Sequence, residues 1–222
     1  MESSQVIERL LTAVGRKKAQ LGGRKAVAFI AKRLWDTLFH SRELFFTIDL
    51  SNRTLTVSPG SDSVEVREKR SFSELTEKER AAISGYGGSE LLNLFEKRLA
   101  GGHRLFLTFA EGEFAGAAWI YVGGPGKFFM IPLARKEFFI VAVFIVDRFR
   151  GKGISVASLV LLLQKMKEDG FEHGSICTKE WNFYQRSISK SGFELVGRVR
   201  SVRFFGRDIL IWSHDKGREK FV

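Results

Sequence analysis

The segment 148–153, with the sequence RFRGKG, combines residue types that bind phosphate. Gly151 and Gly153 let the backbone approach an anion without a Cβ in the way, and Arg148, Arg150 and Lys152 add positive charge. If a helix follows, the amide N–H groups of its first turn lack intrahelical partners and its dipole also favours an anion. The chemistry predicted for this segment is therefore the binding of a phosphate or pyrophosphate group.

The flanking residues predict a strand and a helix that would position this segment. Lys136–Asp147 is a nearly continuous apolar run, rich in β-branched and aromatic residues, which is typical of a strand buried on both faces. The run Ile154–Asp169 has apolar residues at the spacing of one helix face, namely Val156, Leu159, Val160, Leu163 and Met166. The predicted order is therefore strand, basic glycine loop and helix.

The glycine spacing does not fit two common phosphate-binding loops. Neither the Gly-x-x-x-x-Gly-Lys-Ser/Thr pattern of a Walker loop nor the Gly-x-Gly-x-x-Gly pattern of dinucleotide folds is present. A bare Gly-x-Gly is a weak signal in a chain with 22 glycines. A basic turn between two core elements is therefore the alternative interpretation.

The segment resembles the coenzyme A loop of the GNAT superfamily of N-acetyltransferases. The signature of that loop is Arg or Gln, two residues, Gly, one residue, and then Gly or Ala, and it is matched by Arg148, Gly151 and Gly153. Further along the chain, 181–193 resembles the family's element of an Asn, a short helix and Lys-x-Gly-Phe. The two motifs have the separation found in the family, and the resemblance covers about 63–214.

The resemblance implies acetyl-CoA, or another acyl-CoA, as co-substrate, and no metal. It also implies that backbone groups of the central strand hold the pantetheine arm and that an amide there polarises the thioester carbonyl. The residues then expected to bind the cofactor are Phe144, Ile145, Val146, Arg148, Phe149, Arg150, Gly151, Lys152, Gly153, Ile154, Ser155 and Asn182.

The reaction implied by the resemblance is transfer of an acetyl group to a primary amine by direct attack in a ternary complex. The acceptor would be a small-molecule or sugar-type amine. Glu137, at the start of the central strand, is the candidate base, and a surface carboxylate is the alternative interpretation. The tyrosine that often serves as the acid in this family is replaced by Ile188, so the candidates for the acid are Tyr184 and Ser187.

The fold class expected from the strand and helix order is α/β (α+β). The resemblance implies a GNAT-like, mostly antiparallel sheet, flanked by helices and splayed at the cofactor. Turn residues at Pro59–Ser63 predict a boundary between an N-terminal extension, 1–60, and an acyltransferase domain, 61–222. The extension is expected to contain two basic amphipathic helices and a strand hairpin formed by Glu43–Leu50 and Thr54–Val57.

Three further patterns predict elements of the main domain. Thr76–Glu79 has the sequence of a capping box that opens a helix, and a second helix is expected over Ser89–Leu99. Leu105–Ala110 and Phe114–Val122 are expected to pair as strands across a tight turn.

Charge and cysteine content limit the partners and the compartment. The net charge of +11 suits an anionic cofactor or substrate, a nucleic acid or an acidic membrane surface, without choosing among them. The basic helices of residues 1–40 could lie on an anionic membrane, or pack on the main domain or on a second copy in a homodimer.

Cys177 is the single cysteine, so a disulfide framework is excluded and a reducing cytoplasm is the simplest compartment. No apolar run is long enough to predict a transmembrane helix.

Two other functions stay open at this point. A non-catalytic module could use the same loop to bind acyl-CoA without turnover. A basic protein could instead use its Arg and Lys residues to bind nucleic acid or an anionic membrane surface.

Overall fold

The computed structural model describes residues 40–56, 63–122, 133–204 and 207–214. Within these residues the strands are β1 (His40–Asp49), β2 (Val64–Lys69), β3 (Arg104–Ala110), β4 (Glu113–Val122), β5 (Glu137–Ile145), β6 (His173–Lys179), β7 (Glu194–Phe204) and β8 (Arg207–His214). The helices are α1 (Glu77–Ala100), α2 (Ile154–Glu168) and α3 (Gln185–Lys190), and short 3₁₀ turns lie at Phe72–Glu74 and Asp147–Phe149.

The strands follow one another in the sheet in the order β2-β3-β4-β5-β6-β1-β7-β8. Neighbouring strands from β2 to β5 are antiparallel, whereas β5 and β6 are parallel. The mixed α/β class with a mostly antiparallel sheet is thus confirmed.

Two compact units divide the described residues. One is built on Leu44–Gly197 and the other on Arg198–Ser213 together with residues before Leu44. The predicted division into 1–60 and 61–222 stays a prediction, because residues 1–39 and 57–62 lie outside the described part of the chain. The site described below belongs to the first unit.

Most of the predicted elements of the main domain are confirmed, but the N-terminal hairpin is wrong. Residues 54–56 are not in a strand, and β1 instead lies between β6 and β7 in the sheet. The reason is the burial of Leu44, Phe46 and Ile48 in the main core, which favours a central position over a local hairpin.

Alternating side chains of the strands form two apolar layers, one on each face of the sheet. On one face, Ile83, Phe95 and Leu99 of α1 pack on side chains that include Leu105 and Trp119. On the other face, α2 and α3 cover a layer that is formed by Phe106, Ile120, Phe138, Ile140 and Ile176. The central strand β5 is therefore held between helices on both faces.

Helix α1 begins at a complete capping box and bends in its middle. The Glu79 N–H donates to Thr76 Oγ1 at 3.2 Å, and the Thr76 N–H donates to Glu79 Oε2 at 2.9 Å. Such caps stabilise a helix by about 1 kcal/mol. At Gly88 the backbone has φ +72°, which interrupts the helix, so the two predicted helices form one bent element.

A cluster of charged side chains ties β2 and β3 to the end of α2. Arg104 Nε donates to Glu68 Oε1 at 2.7 Å, and the same guanidinium pairs with Asp169 just after α2. Arg70 also contacts both carboxylates. Burial raises the pKa of Glu68 and Asp169, but the hydrogen bonds from Arg104 and its neighbours outweigh burial, so the pKa of each carboxyl is lowered.

Within the part of the chain that the structure describes, no helix has the length and apolar character needed to span a bilayer. The same residues contain no group of three His, Cys, Asp or Glu side chains arranged to hold a metal ion.

Arg104→Leu should destabilise the fold by about 2 kcal/mol at pH 7, because it leaves two largely buried carboxylates without their main partner. A carboxyl whose pKa is lowered by folding stabilises the protein above its unfolded-state pKa, and loses that contribution as the pH falls through the folded-state pKa. The difference between variant and wild type should therefore shrink between about pH 5 and pH 3. Urea unfolding of the variant and the wild type at pH 7 and at pH 3 measures this difference in the free energy of unfolding. Arg135→Leu, at an exposed position, is the control, and an equal difference at both pH values would contradict the cluster's role.

Candidate functional site

Strands β5 and β6 separate at one end of their pairing. The parallel pairs run from Glu137 and His173 to Ile140 and Ile176. Beyond them, β5 continues through Val141–Ile145 and β6 through Cys177–Lys179, with no further β5–β6 pair among the described residues. We call the space between these two segments the cleft. At the rise of a strand it extends for about 16 Å along β5.

The backbone of β5 presents hydrogen-bonding groups to the cleft. The Val146 N–H donates to Ala115 O of β4 at 2.8 Å, and residues of an antiparallel strand direct their amides alternately to the two sides. Val143 and Ile145, which stand opposite Ala118 and Gly116, therefore direct their N–H and C=O groups away from β4. An extended polar chain could add to this edge as a strand does.

Two irregularities in β4 and β5 shape this edge. A register shift lies between Trp119, opposite Ala142, and Ile120, opposite Ile140, so that Val141 is an extra residue at the narrow end of the cleft. Farther along, Gly116 lies so close to β5 that a Cβ there would overlap the Phe144 carbonyl oxygen. The position of β5 therefore depends on the absence of a side chain at residue 116.

The basic loop that follows β5 leads into an open helix start. Gly151 and Gly153 each have φ +78°, a conformation that favours glycine, and, apart from the two adjacent residues, no heavy atom that the structure describes stands within 4 Å of where a Cβ would lie at either position. Gly153 is the residue before the first turn of α2, and no side chain caps that turn. The first-turn N–H groups and the helix dipole are thus directed at the loop.

The cations of the loop are exposed and weakly held. Arg148 pairs with Glu113 at 2.6 Å and Arg150 with Asp147 at 2.8 Å, all with side chains at least three-fifths exposed. Exposed pairs of this kind contribute at most about 1 kcal/mol each, so a bound phosphate could replace them. Lys152 has no ion pair among the described residues, and its Nζ lies 5.7 Å from the centre of the Phe149 ring.

Two buried hydroxyl groups without partners lie beside the start of α2. Ser155 Oγ and Tyr184 Oη have no hydrogen-bond partner among the described residues, although both atoms are shielded from solvent. The rest of the Tyr184 side chain is half-buried. Burial strongly raises the pKa of Tyr184, and the nearby Ser155 hydroxyl offsets only a small part of that rise. The two hydroxyl groups do not form a hydrogen bond of normal geometry with each other. Each unsatisfied hydroxyl costs about 1–3 kcal/mol, which an acceptor oxygen of a ligand would recover.

The structure brings together most of the residues expected to bind a cofactor. Ile145 faces the cleft through its backbone, and residues 148–153 with Ile154 and Ser155 surround the start of α2. The side chains of Phe144 and Val146 instead pack on the α1 side of the sheet, and their amides are directed to β4. Phe149 is buried and anchors the loop.

The other predicted residues lie outside this group or have local partners. Asn182 Oδ1 accepts a hydrogen bond from the Tyr184 N–H at 3.0 Å, which stabilises the turn before α3. Ser187 is half-buried within α3. Glu137 lies in the paired part of β5, about 13 Å before Val141, and its Oε2 accepts a hydrogen bond from the Ala134 N–H at 2.9 Å. By strand alternation it shares with Val141 the face that α1 covers.

A family model described as the acetyltransferase (GNAT) family matches residues 70–193, which include α1, the cleft, the basic loop and α3. The chain belongs to this family. Members of the GNAT family are acyltransferases, and the predicted resemblance is thus confirmed. Among curated proteins, no sequence matches this chain.

Solved structures support the GNAT fold. The chain is similar to a GCN5-related N-acetyltransferase from Sphaerobacter thermophilus, with a TM-score of 0.50 and 13% identity, covering 84% of this chain and 56% of that one. It is also similar to a fungal GCN5-related glucosamine N-acetyltransferase region within a multi-domain β-N-acetylglucosaminidase, with a TM-score of 0.52 and 13% identity, covering 80% of this chain and 22% of that one. The chain thus spans little more than half the length of the first protein and about a fifth of the second.

Sequence reasoning did not name Val143 as part of the open edge, and it gave Gly116 no role in positioning β5. The glycine did carry a signal, because a glycine inside a strand often marks a close approach of two backbones. The proximity of the Ser155 and Tyr184 hydroxyl groups had no sequence signal, since it depends on how the turn before α3 packs against α2.

Gly116→Ala should destabilise the protein by about 2 kcal/mol, because the new Cβ overlaps the Phe144 carbonyl and β5 has to move. Gly85→Ala is the matched control: no atom stands near the position of its Cβ, and alanine favours a helix. Urea unfolding of both variants measures the difference. Wild-type stability of Gly116→Ala would show that β4 and β5 do not approach each other as described.

Proposed function

We propose that this protein is an acyl-CoA-dependent N-acyltransferase that transfers an acetyl group from acetyl-CoA to a primary amine of a small-molecule or sugar-type acceptor. The observation that carries the proposal is the open edge of β5, which leads directly to the uncapped start of α2. The open edge of β5 offers backbone hydrogen bonds, and the start of α2 offers a binding site for phosphate. A molecule with an extended amide-containing arm and a pyrophosphate matches both ends.

The residues present fit coenzyme A. The first-turn amides of α2 and the cations Arg148, Arg150 and Lys152 would hold the phosphates. Val143 and Ile145 would pair with the amides of the pantetheine arm, although Ile145 O already accepts a hydrogen bond from Arg150 Nε at 3.2 Å. The buried hydroxyl groups of Ser155 and Tyr184 lie beside the same helix start, and neither has a hydrogen-bond partner among the described residues.

Bound acyl-CoA supplies an activated acyl group. The role of the chain is then to hold that group and the amine together and to exclude water, which removes much of the entropic barrier. An amide near the narrow end of the cleft would polarise the thioester carbonyl, and such a donor contributes on the order of a hundredfold in rate.

Acyl transfer to an amine needs a base that takes a proton from the amine and an acid that protonates the leaving thiolate. Glu137 lies on the face of β5 shared with Val141, so it is proposed as the base, acting through water because it stands several residues before the narrow end of the cleft. Burial raises the pKa of Tyr184, which is one candidate for the acid, and the place of its hydroxyl group beside α2 also suits a hydrogen-bond donor to the cofactor. Ser187 and solvent are the other candidates for the acid.

A non-catalytic acyl-CoA-binding module is the second candidate. The observation in its favour is Ile188, which stands where related enzymes often have the acidic tyrosine and is fully buried in the core. A cytoplasmic location, contact of residues 1–40 with an anionic membrane, homodimer formation and binding of nucleic acid all stay predictions.

Calorimetric titration with acetyl-CoA tests the binding part of the proposal. We expect micromolar affinity for the wild type and a loss of at least tenfold in Gly151→Glu, because the carboxylate would repel the phosphates. Gly151→Lys is the matched control: it places an equally unfavourable residue at φ +78° but adds a positive instead of a negative charge. Equal loss in both variants, or no binding by folded wild type, would contradict the assignment of phosphates to this loop.

Release of free thiol from acetyl-CoA with a panel of primary amines then tests turnover. Amine-dependent release supports the enzyme. Binding without release for every amine would instead favour the non-catalytic module.

A further inference from the structure

A cavity of about 580 Å³ lies on the α1 side of the sheet, away from the cleft. Its wall is formed by the first turns of α1, the bend of that helix, the tip of the β3–β4 hairpin and the end of β5. The volume lies in the range of small-molecule sites, about 300–1,000 Å³. Arg148 lines the cavity and also belongs to the basic loop, so the two sites are neighbours but are not the same.

The apolar part of this cavity is aromatic. Phe109 and Phe114 form an edge-to-face pair with ring centres 6.2 Å apart. Tyr86 stacks on Phe144 with ring centres 5.3 Å apart and rings nearly parallel, and it stays 42% exposed at the rim. Phe109 and Phe114 are buried, so the Tyr86 ring, which Phe144 holds in place, is the rigid surface open to an aromatic or flat apolar ligand.

The carboxylates of the cavity are already engaged. Glu79 is buried, and its Oε2 pairs with Lys69 at 3.0 Å and accepts from the Thr76 N–H at 2.9 Å. Glu113 pairs with Arg148 at the hairpin tip. Neither carboxylate is therefore available to bind a cationic ligand without losing its present partner.

The uncompensated charge that faces the cavity is positive. Lys78 is exposed in the first turn of α1 and forms no ion pair with any residue the structure describes. Arg67 also lines the cavity, with its Cζ 4.3 Å from the centre of the Phe109 ring, but its guanidinium is already engaged by Glu65, to which its Nε and Nη2 each donate a hydrogen bond at 2.7 Å. Lys78 is therefore the side chain of this lining that can pair with a negatively charged group of a ligand without losing a partner among the described residues.

We propose that this cavity binds an organic anion with an aromatic or flat apolar body and a phosphate or carboxylate group. The body lies on the exposed Tyr86 ring, and the anionic group contacts Lys78. This site is additional to acyl-CoA binding and does not rest on the proposed function.

Phenyl phosphate is the test probe, and phenol is its uncharged counterpart. We expect calorimetric or NMR titration to show saturable binding of phenyl phosphate, at least tenfold weaker binding of phenol, and at least fivefold weaker binding of phenyl phosphate to Lys78→Gln and to Tyr86→Ala. Lys97→Gln changes an exposed lysine in the last turn of the same helix and should bind as the wild type does. Gly151→Glu should also retain binding, because it alters only the basic loop.

Three results would overturn the proposal: no saturable binding to the wild type, equal binding of phenol, or loss of phenyl phosphate binding in Gly151→Glu with retention in Lys78→Gln. The last result would place the anion at the start of α2. Titration of Lys78→Gln with acetyl-CoA separates the two claims, because the proposed function requires unchanged acetyl-CoA affinity there, whereas this proposal concerns only the second ligand.

Discussion

Unequal pairing along the two edges of β5 is the constraint on which the rest of the site depends. Toward β4 the strand is hydrogen-bonded along its length, whereas toward β6 its pairing ends at Ile140. Exposed strand edges invite the addition of another chain, and proteins usually protect them. Here the edge is short, lies inside the sheet and leads to a helix start, so it suits a ligand better than a second protein strand.

The surrounding elements keep β5 in place while one of its edges stays open. Apolar layers under α1 and α2 hold the strand from both faces, and the Arg104 cluster joins the end of α2 to β2 and β3. Gly116 permits the close approach of β4 that fixes the direction of the Val143 and Ile145 amides. Rigid support of this kind lets the site hold its geometry before a ligand arrives, which lowers the cost of binding.

Local sequence patterns predicted the strand, the basic turn and the helix of residues 137–168 well because the determinants of each are contiguous in the chain. Apolar periodicity gave the strand and the helix, and glycines with alternating cations gave the turn between them. The end of β5–β6 pairing could not be predicted from the residues, since Val141–Ile145 is as apolar as the paired part of the strand. A separation of these two strands is expected from the family resemblance alone.

Long-range packing explains the other differences. The predicted hairpin of β1 with residues 54–57 is wrong, because the burial of β1 between β6 and β7 outweighs the local turn signal. The proximity of the Ser155 and Tyr184 hydroxyl groups could not be predicted either, because these residues belong to separate elements that meet only in the folded protein. The sequence predicts a binding role for Ser155 and a catalytic role for Tyr184 separately, from two different motifs.

Amide hydrogen exchange along β5, measured by NMR with and without acetyl-CoA, tests the central claim most directly. The account predicts that acetyl-CoA slows exchange at Val143 and Ile145, whose amides face the cleft, and leaves Phe144 and Val146 nearly unchanged, because their amides are already directed to β4. Protection that does not alternate along the strand, or protection confined to residues outside β5 and the start of α2, would contradict it.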